Sequence, residues 1–162
     1  LINRHPHIYG YVKVEDEEEV KQNWENIKLK EGKKSVLQGV PNSLPALVKA
    51  NRIQEKVAGV GFDWEQPEQV FEKVQEELSE LQEELKQGNP DRLEMEFGDV
   101  LFSMVNYARF LDINPENALE RTNKRFIKRF QYLEQKAKES GKTLKEMTLD
   151  EMNVFWEQAK KV

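Results

Sequence analysis

Apolar residues recur every three or four positions through most of this chain, in long segments separated by Gly and Pro. One such stripe consists of Val70, Phe71, Val74, Leu78, Leu81 and Leu85, and Gly88 follows it. This spacing places the side chains on one face of an α-helix, whereas a half-buried strand would alternate at every second position. No segment alternates convincingly in that way, so the sequence predicts an all-α fold.

Helix boundaries follow from the breaking residues and the capping patterns. Ser43 is expected to cap a helix that has Pro45 in its first turn, and Thr148-x-x-Glu151 is typical of a capping box. Residues 1–14 lack helical periodicity and are interpreted as an irregular lead-in. We expect six helices, at about residues 15–31, 43–60, 67–86, 90–111, 115–140 and 149–162.

The composition excludes several classes of function. The net charge of -5 argues against general binding to nucleic acid or to anionic membranes, and no stretch is long enough for a membrane span. There is no Cys among the 162 residues, which rules out disulfides and thiolate chemistry and favours a cytoplasmic setting. The two histidines, His5 and His7, lie in the lead-in, so a histidine base is not expected.

The helix predicted at 90–111 is apolar almost all the way round. Its polar residues form a narrow strip of Glu96, Asp99, Ser103 and Asn106. A helix of this kind is buried on several sides, which a monomer with few helices would not achieve. We therefore expect a homodimer that forms through this helix.

Two acid pairs with matched spacing are the main functional signal. Glu77 and Glu80 are three positions apart, as are Glu96 and Asp99, so each pair shares one face of its helix. Carboxylates packed in this way repel one another unless a cation neutralises them. A site for Mg2+, or for Mn2+ as a substitute, is therefore predicted.

Each of these features also has a simpler interpretation. Glu-x-x-Glu is common on solvated helix faces, and Lys73 could serve only as an ion-pair partner for Glu77. Arg125 and Arg129 could belong to a solvated basic face, and Trp156 could be a core residue. Taken together, however, carboxylates for a metal, basic side chains for phosphate and a flat ring for a base make a coherent nucleotide site.

The chain resembles the MazG family of nucleoside triphosphate pyrophosphohydrolases, specifically the C-terminal domain of the tandem MazG proteins. That family is marked by Glu-Glu-x-x-Glu followed by Glu-x-x-Asp, which match residues 76–80 and 96–99. The likeness extends over GVPNSLPALVKANRIQEKVAGVGFDW, GDVLFSMVNYARFL, NKRFIKRF and FWEQAKK. It implies a tail of a preceding domain and a linker with one helix at 1–42, and a catalytic helical domain at 43–162.

The resemblance also implies an activity and a set of site residues. The enzyme would convert an NTP, such as ATP, to NMP and pyrophosphate with Mg2+, as an all-α homodimer. The metal ligands would be Glu77, Glu80, Glu96 and Asp99. The residues expected to contact the nucleotide are Lys73, Glu76, Asn106, Arg125, Arg129, Trp156 and Lys160.

Mechanistically, a metal-activated water would attack the α-phosphorus, with Lys and Arg stabilising the leaving pyrophosphate. A carboxylate must take the proton, and Glu80 is preferred for this role, with Glu76 as an outer alternative. A di-iron bundle is disfavoured because it calls for Glu-x-x-His pairs. A helical module that only dimerises, and a nucleotide-binding regulatory domain without turnover, remain alternatives. The base preference and the number of metal ions stay open.

Overall fold

The computed structural model describes residues 21–24, 26–27, 32 and 34–162. Within these residues the protein is all-helical, as expected, and has no strands. The principal helices are α1 (Ala46–Ala58), α2 (Pro67–Gln87), α3 (Pro90–Phe110), α4 (Pro115–Glu139) and α5 (Leu149–Ala159). A short 3-10 helix, Leu144–Glu146, precedes α5. No helix in the described part of the chain is long and apolar enough to span a bilayer.

Most of the helix boundaries expected from the sequence are confirmed to within a few residues. The exception is the cap of α1, because Pro45 and not Ser43 occupies the N-cap and no side chain caps this end. The helix expected at 15–31 lies mostly outside the described residues, although 21–24 and 26–27 are helical. The lead-in at 1–14 lies outside them entirely.

The chain divides into two compact units, one ending at Pro115 and the other covering Glu116–Val162. The domain boundary expected at residues 42 and 43 stays a prediction.

Helices α2 and α3 form a hairpin joined by only Gly88 and Asn89. Gly88 ends α2 with a φ of 71°, a left-handed conformation that glycine adopts without steric cost. Asn89 then caps α3, since its side chain accepts hydrogen bonds from the backbone N–H groups of Asp91 and Arg92. This short connection makes α2 and α3 antiparallel neighbours.

A small apolar core lies where these helices meet. Val70 and Val74 of α2 are 1% and 3% exposed, and Val105 of α3 is 2% exposed. The rings of Phe71 and Tyr107 pack with their centroids 5.4 Å apart. The core fixes the rotation of each helix about its axis, and therefore decides which acidic residues point into the space between them.

Much of the remaining apolar surface of the hairpin faces outward in the single chain. Large side chains on α3 are 44–55% exposed, namely Phe97, Leu101, Phe102 and Met104. Phe71, Leu78 and Leu85 on α2 are also exposed. The extensive burial expected for α3 is therefore not achieved within one copy of the chain.

The second unit has its own buried residues and caps. Leu133 and Ala137 of α4 and Ala159 of α5 are buried. Thr148 and Glu151 form the expected capping box at the start of α5. A further capping box between Thr143 and Glu146, which the sequence reasoning missed, starts the 3-10 helix.

Candidate metal centre

Three carboxylates from the α2–α3 hairpin converge on one point. Glu77 of α2 and Glu96 and Asp99 of α3 each offer an oxygen, and these oxygens all lie within 4.8 Å of one another. Glu96 and Asp99 share a face of α3 because they are three residues apart. The hairpin brings that face against the turn of α2 that carries Glu77, so each of the two acid pairs contributes to the cluster.

Glu77 is the most enclosed member of the cluster. Glu77 is 7% exposed, and its Oε1 accepts a hydrogen bond of 2.6 Å from the ammonium of Lys73, one turn earlier. Its Oε2 is buried and has no hydrogen-bond partner in the described part of the chain. Lys73 also reaches the exposed Glu76 at 3.2 Å. The hydrogen bond that Lys73 donates to Glu77 is the main reason that the pKa of Lys73 is raised.

Repulsion between the clustered carboxylates acts on Glu96. Its pKa is raised above the ordinary value of 4.5, first by burial and then by repulsion from Glu80, Asp99 and Glu77. Its Oε2 is buried and, like that of Glu77, accepts no hydrogen bond from a described residue. A buried carboxylate oxygen without a partner is costly in free energy unless a cation occupies the space beside it.

These observations fit a divalent cation of the hard class. Every converging ligand atom is a carboxylate oxygen, the donor that Mg2+, Mn2+ and Ca2+ prefer. Two buried oxygens, one each from Glu77 and Glu96, find no donor among the described residues to compensate for their burial. Lys73 neutralises only part of the charge, because it contacts Glu77 alone among the three converging residues.

Glu80, the fourth predicted ligand, lies outside the converging group. Its side chain is exposed, yet it is the largest source of charge repulsion that raises the pKa of Glu96. It therefore lies at the edge of the cluster, and its role as a ligand stays a prediction. Glu83, one turn from Glu80, is exposed and pairs with Lys86 at 2.9 Å, as expected for a solvated position.

Glu84 is a residue of the cluster's surroundings that the sequence reasoning did not assign to the site. It is 8% exposed, has a buried Oε1 without a hydrogen-bond partner among described residues, and adds to the repulsion on Glu96. Its position seven residues after Glu77, two turns along the same flank of α2, was the available signal.

Asn106, predicted to contact the nucleotide, is part of a polar network in the first unit. Its Oδ1 accepts from Arg109 Nε at 3.2 Å and from Arg109 Nη2 at 2.9 Å. The same guanidinium forms a two-point ion pair with Asp63, including Nη1 to Oδ2 at 2.9 Å. Asp63 and Arg109 were not singled out from the sequence, although both lie in the segments GVGFDW and VNYARF that carry the resemblance.

The remaining predicted nucleotide contacts belong to the second unit. Arg125 and Arg129 lie one turn apart on α4, and Arg125 donates to Thr122 Oγ1 at 3.3 Å. The ring of Trp156 on α5 lies 5.1 Å from that of Phe126. Lys160, just after α5, pairs with Glu157 at 2.6 Å. Trp156 thus combines a packing contact with a partly exposed surface.

A cavity of about 770 Å³ lies in the first unit, apart from the carboxylate cluster. Arg52, Glu55, Asp63 and Arg109 line it together with helical residues before position 25. None of the clustered carboxylates of α2 and α3 lines it. Its wall mixes charges of both signs, and Arg52 is already paired with Glu55 at 3.0 Å.

Much of this chain is similar to known proteins. Residues 65–133, which include all four acids of the two pairs, match the MazG nucleotide pyrophosphohydrolase domain. The chain is 44% identical to the nucleoside triphosphate pyrophosphohydrolase/pyrophosphatase MazG of Thermotoga maritima, over 99% of the chain and 61% of that protein.

Two further relatives align over almost the whole chain. The nucleoside triphosphate pyrophosphohydrolase of Escherichia coli K12 is 39% identical over 99% of the chain and 64% of its own length. The uncharacterized protein YabN of Bacillus subtilis is 47% identical over 99% of the chain and 34% of its length. The chain therefore spans about three fifths of the two named pyrophosphohydrolases and a third of YabN.

Proposed function

This chain belongs to the MazG nucleotide pyrophosphohydrolase family through its domain at residues 65–133, and on that premise we propose that it hydrolyses a nucleoside triphosphate to the monophosphate and pyrophosphate. The observation that supports the proposal most directly is the convergence of Glu77, Glu96 and Asp99, with two buried oxygens that accept no hydrogen bond from a described residue. A triphosphate needs a divalent counter-ion, and this cluster is suited to hold one.

The ion proposed for the cluster is Mg2+, with Mn2+ as a substitute. Glu77, Glu96 and Asp99 would hold it, with Glu80 as a fourth ligand at the exposed edge. When bound, the ion supplies Lewis-acid activation of water and neutralises phosphate charge. The carboxylates would keep the ion in place, while the ammonium of Lys73 contacts one of them, Glu77, at 2.6 Å.

The reaction proposed is attack by water on the α-phosphorus, with cleavage of the bond between the α-phosphorus and the bridging oxygen. The water oxygen ends in the monophosphate, and the electron pair of the broken bond leaves with pyrophosphate. Glu80 would accept the proton from water, because it is exposed and borders the cluster, and Glu76 is the alternative. The described helices carry no histidine that could act as a base.

Basic and aromatic residues would bind the rest of the substrate. Lys73 lies beside Glu77 and can share its ammonium with a phosphate oxygen. Arg125 and Arg129 would neutralise the leaving pyrophosphate, since guanidinium groups recognise phosphate by two parallel hydrogen bonds. Trp156 would offer its ring to the base of the nucleotide, and Lys160 would line the same site. ATP is among the substrates to be tested.

We also propose that the protein acts as a homodimer. Large apolar side chains of α2 and α3 face outward, with Leu78, Leu85 and Leu101 44%, 59% and 50% exposed, and contiguous exposed apolar patches commonly mark interaction sites. A second copy with the same face would cover these side chains by two-fold pairing. A cytoplasmic location, and the absence of nucleic-acid and membrane partners, stay predictions from composition.

Hydrolysis in labelled water tests the reaction. The protein should release pyrophosphate from an NTP only with Mg2+ or Mn2+, and oxygen-18 from water should appear in the monophosphate. Label in pyrophosphate would contradict attack at the α-phosphorus. Binding of a non-hydrolysable NTP without any turnover of natural or modified NTPs would favour the alternative, a nucleotide-binding regulatory module.

A further inference from the structure

Arg109 lies between two polar side chains from different parts of the first unit. Asp63, in the loop between α1 and α2, accepts two hydrogen bonds from its guanidinium, one of them 2.9 Å long. Asn106, one turn before Arg109 on α3, accepts two more through Oδ1, at 3.2 and 2.9 Å. The side chains of Arg109 and Asp63 are only 19% and 23% exposed, so this network is largely shielded from water.

This network fixes which way the Asn106 amide points. A guanidinium has five donors and no acceptor, so only the carbonyl oxygen of the amide can face it. The NH2 group is therefore turned away from Arg109. Its Nδ2 donates to no residue in the described part of the chain, which leaves two donor hydrogens for another molecule.

The position of Asn106 on α3 relates it to the metal centre. Asn106 follows Asp99 by seven residues, which is close to two full turns, so both lie on the same side of the helix. At a rise of about 1.5 Å per residue, the two positions are about 10 Å apart along the axis. A nucleotide with its phosphates at the carboxylates would extend its nucleoside over about this distance.

We propose that Asp63 and Arg109 are positioning residues, which hold the Asn106 amide so that its NH2 group donates to an acceptor oxygen of the nucleoside. This inference rests on the proposed function, because it takes the ligand to be a nucleotide. The oxygen belongs either to a sugar hydroxyl or to a base carbonyl. The amide then favours nucleotides that carry an acceptor there, and the ion pair supplies that preference without touching the substrate.

If the ion pair between Asp63 and Arg109 had only a structural role, its loss would lower stability without changing nucleotide binding. The pair joins the loop carrying Asp63 to α3, and a simple clamp would matter for stability alone. The double substitution Asp63→Arg with Arg109→Asp separates the two roles. It restores an ion pair between the same positions, but it places a carboxylate beside Asn106, which attracts the NH2 group and turns the carbonyl towards the ligand.

The positioning role predicts that the swapped variant keeps a Tm close to that of the wild type, while its KM rises about tenfold and kcat changes little. About tenfold is the cost of losing one hydrogen bond of about 1.4 kcal/mol. Asn106→Ala should raise KM by a similar factor, and adding it to the swapped variant should cause no further increase. A swapped variant with a wild-type KM would overturn the proposal.

Ligand binding to the wild-type protein provides a readout that does not depend on turnover. The side-chain amide signals of Asn106, assigned by their absence in Asn106→Ala, should shift in the 15N–1H spectrum when Mg2+ and a non-hydrolysable NTP are added. Unchanged signals from a protein that binds the nucleotide would overturn the positioning role and leave the proposed hydrolysis intact. Shifted signals without hydrolysis of any NTP would do the reverse.

Substrate analogues distinguish the two sources of the oxygen. If the acceptor is a sugar hydroxyl, removal of that hydroxyl should raise the KM of the wild type and abolish the difference between wild type and Asn106→Ala. If it is a base carbonyl, the same result should follow a change of base from carbonyl to amino. If neither analogue removes the effect of Asn106→Ala, the proposed contact does not exist.

Discussion

Lys73 and Glu77 lie one turn apart on α2, and the ammonium of Lys73 is 2.6 Å from Oε1 of Glu77. The other oxygen of Glu77, Oε2, is buried and accepts no hydrogen bond from the part of the chain that the structure describes. The ammonium of Lys73 thus compensates one of the two carboxylate oxygens of Glu77. The Glu77 carboxylate also offers an oxygen to the group in which oxygens of Glu77, Glu96 and Asp99 lie within 4.8 Å of one another.

Replacing the buried carboxylate should separate stability from function. Glu77→Gln is expected to change the Tm of the metal-free protein little, because it removes one charge from the cluster but also removes the ion pair with Lys73. It should nevertheless abolish turnover and the rise in Tm that Mg2+ causes. Glu83→Gln is the matched control, because Glu83 is on the same helix but is exposed and pairs with Lys86. Retained Mg2+-dependent stabilisation in Glu77→Gln would contradict the metal centre.

Removing the resident ammonium should have opposite effects on stability and on metal affinity. Lys73→Met leaves the buried Glu77 without its partner, so the metal-free protein should lose a few degrees in Tm. Because a competing cation is gone, the affinity for Mg2+ measured by calorimetry should increase. Lys86→Met removes a comparable but exposed ion pair and should change neither quantity appreciably. Weaker Mg2+ binding in Lys73→Met would show that Lys73 does not compete with the ion.

The raised pKa of Glu96 predicts the pH dependence of metal stabilisation. With its pKa above 4.5, the folded metal-free protein binds a proton more tightly than the unfolded chain does, so the stability of this form should fall as pH rises through that range. A cation requires the ionised carboxylate, so the Mg2+-induced rise in Tm should appear over the same range. Tm measured with and without Mg2+ at a series of pH values checks this. In Glu96→Gln, the pH dependence of the metal-free Tm and that of the Mg2+-induced rise in Tm should both become weaker.

The apolar face of the hairpin should control assembly. Leu101→Glu places a charge on a side chain that is 50% exposed in one copy and would be covered in a dimer. Sedimentation at micromolar concentration should show a dimer for the wild type and a monomer for the variant. Leu149→Glu, on a 72% exposed residue of the second unit, is the control and should leave the dimer intact. A monomeric wild type would end the dimer proposal.

The capping box of α5 should contribute measurably to the second unit. Thr148→Ala removes the hydroxyl that accepts from the backbone N–H of Glu151, which should cost about 1 kcal/mol of unfolding free energy. The control is Thr122→Ala in the interior of α4, where alanine has the higher helix propensity and no such loss is expected. Denaturant titration of both variants provides the comparison.

Sequence reasoning worked best where the signal is local. Gly88 and Asn89-Pro90 mark the end of one helix and the start of the next, and the structure places the boundaries there. Ser43 failed as a cap because Pro45 takes that position with its own fixed φ, and no side-chain hydrogen bond is made at this end. Local chemistry alone does not decide between two residues that can each start a helix.

Sequence reasoning was weaker where helix packing decides the outcome. Glu77 and Glu80 have the same spacing as Glu96 and Asp99, yet Glu77 is buried and Glu80 is exposed. The rotation of α2 about its axis relative to α3 determines which of the two residues is buried, and this rotation cannot be deduced from the periodicity of one helix. The pairing of Asp63 with Arg109, 46 positions apart, left no local pattern at all.

The two-residue turn at Gly88 and Asn89 has a consequence for how such a chain can change in length. Glu77 lies about 15 Å before the turn, and Glu96 and Asp99 lie about 9 and 13 Å after the start of α3, by the rise of a helix. An insertion in only one of the helices α2 and α3, between its acidic residues and the turn, would shift and rotate those residues away from the acidic residues of the other helix. Viable insertions and deletions should therefore lengthen or shorten both helices together, by whole turns, or fall within the turn itself.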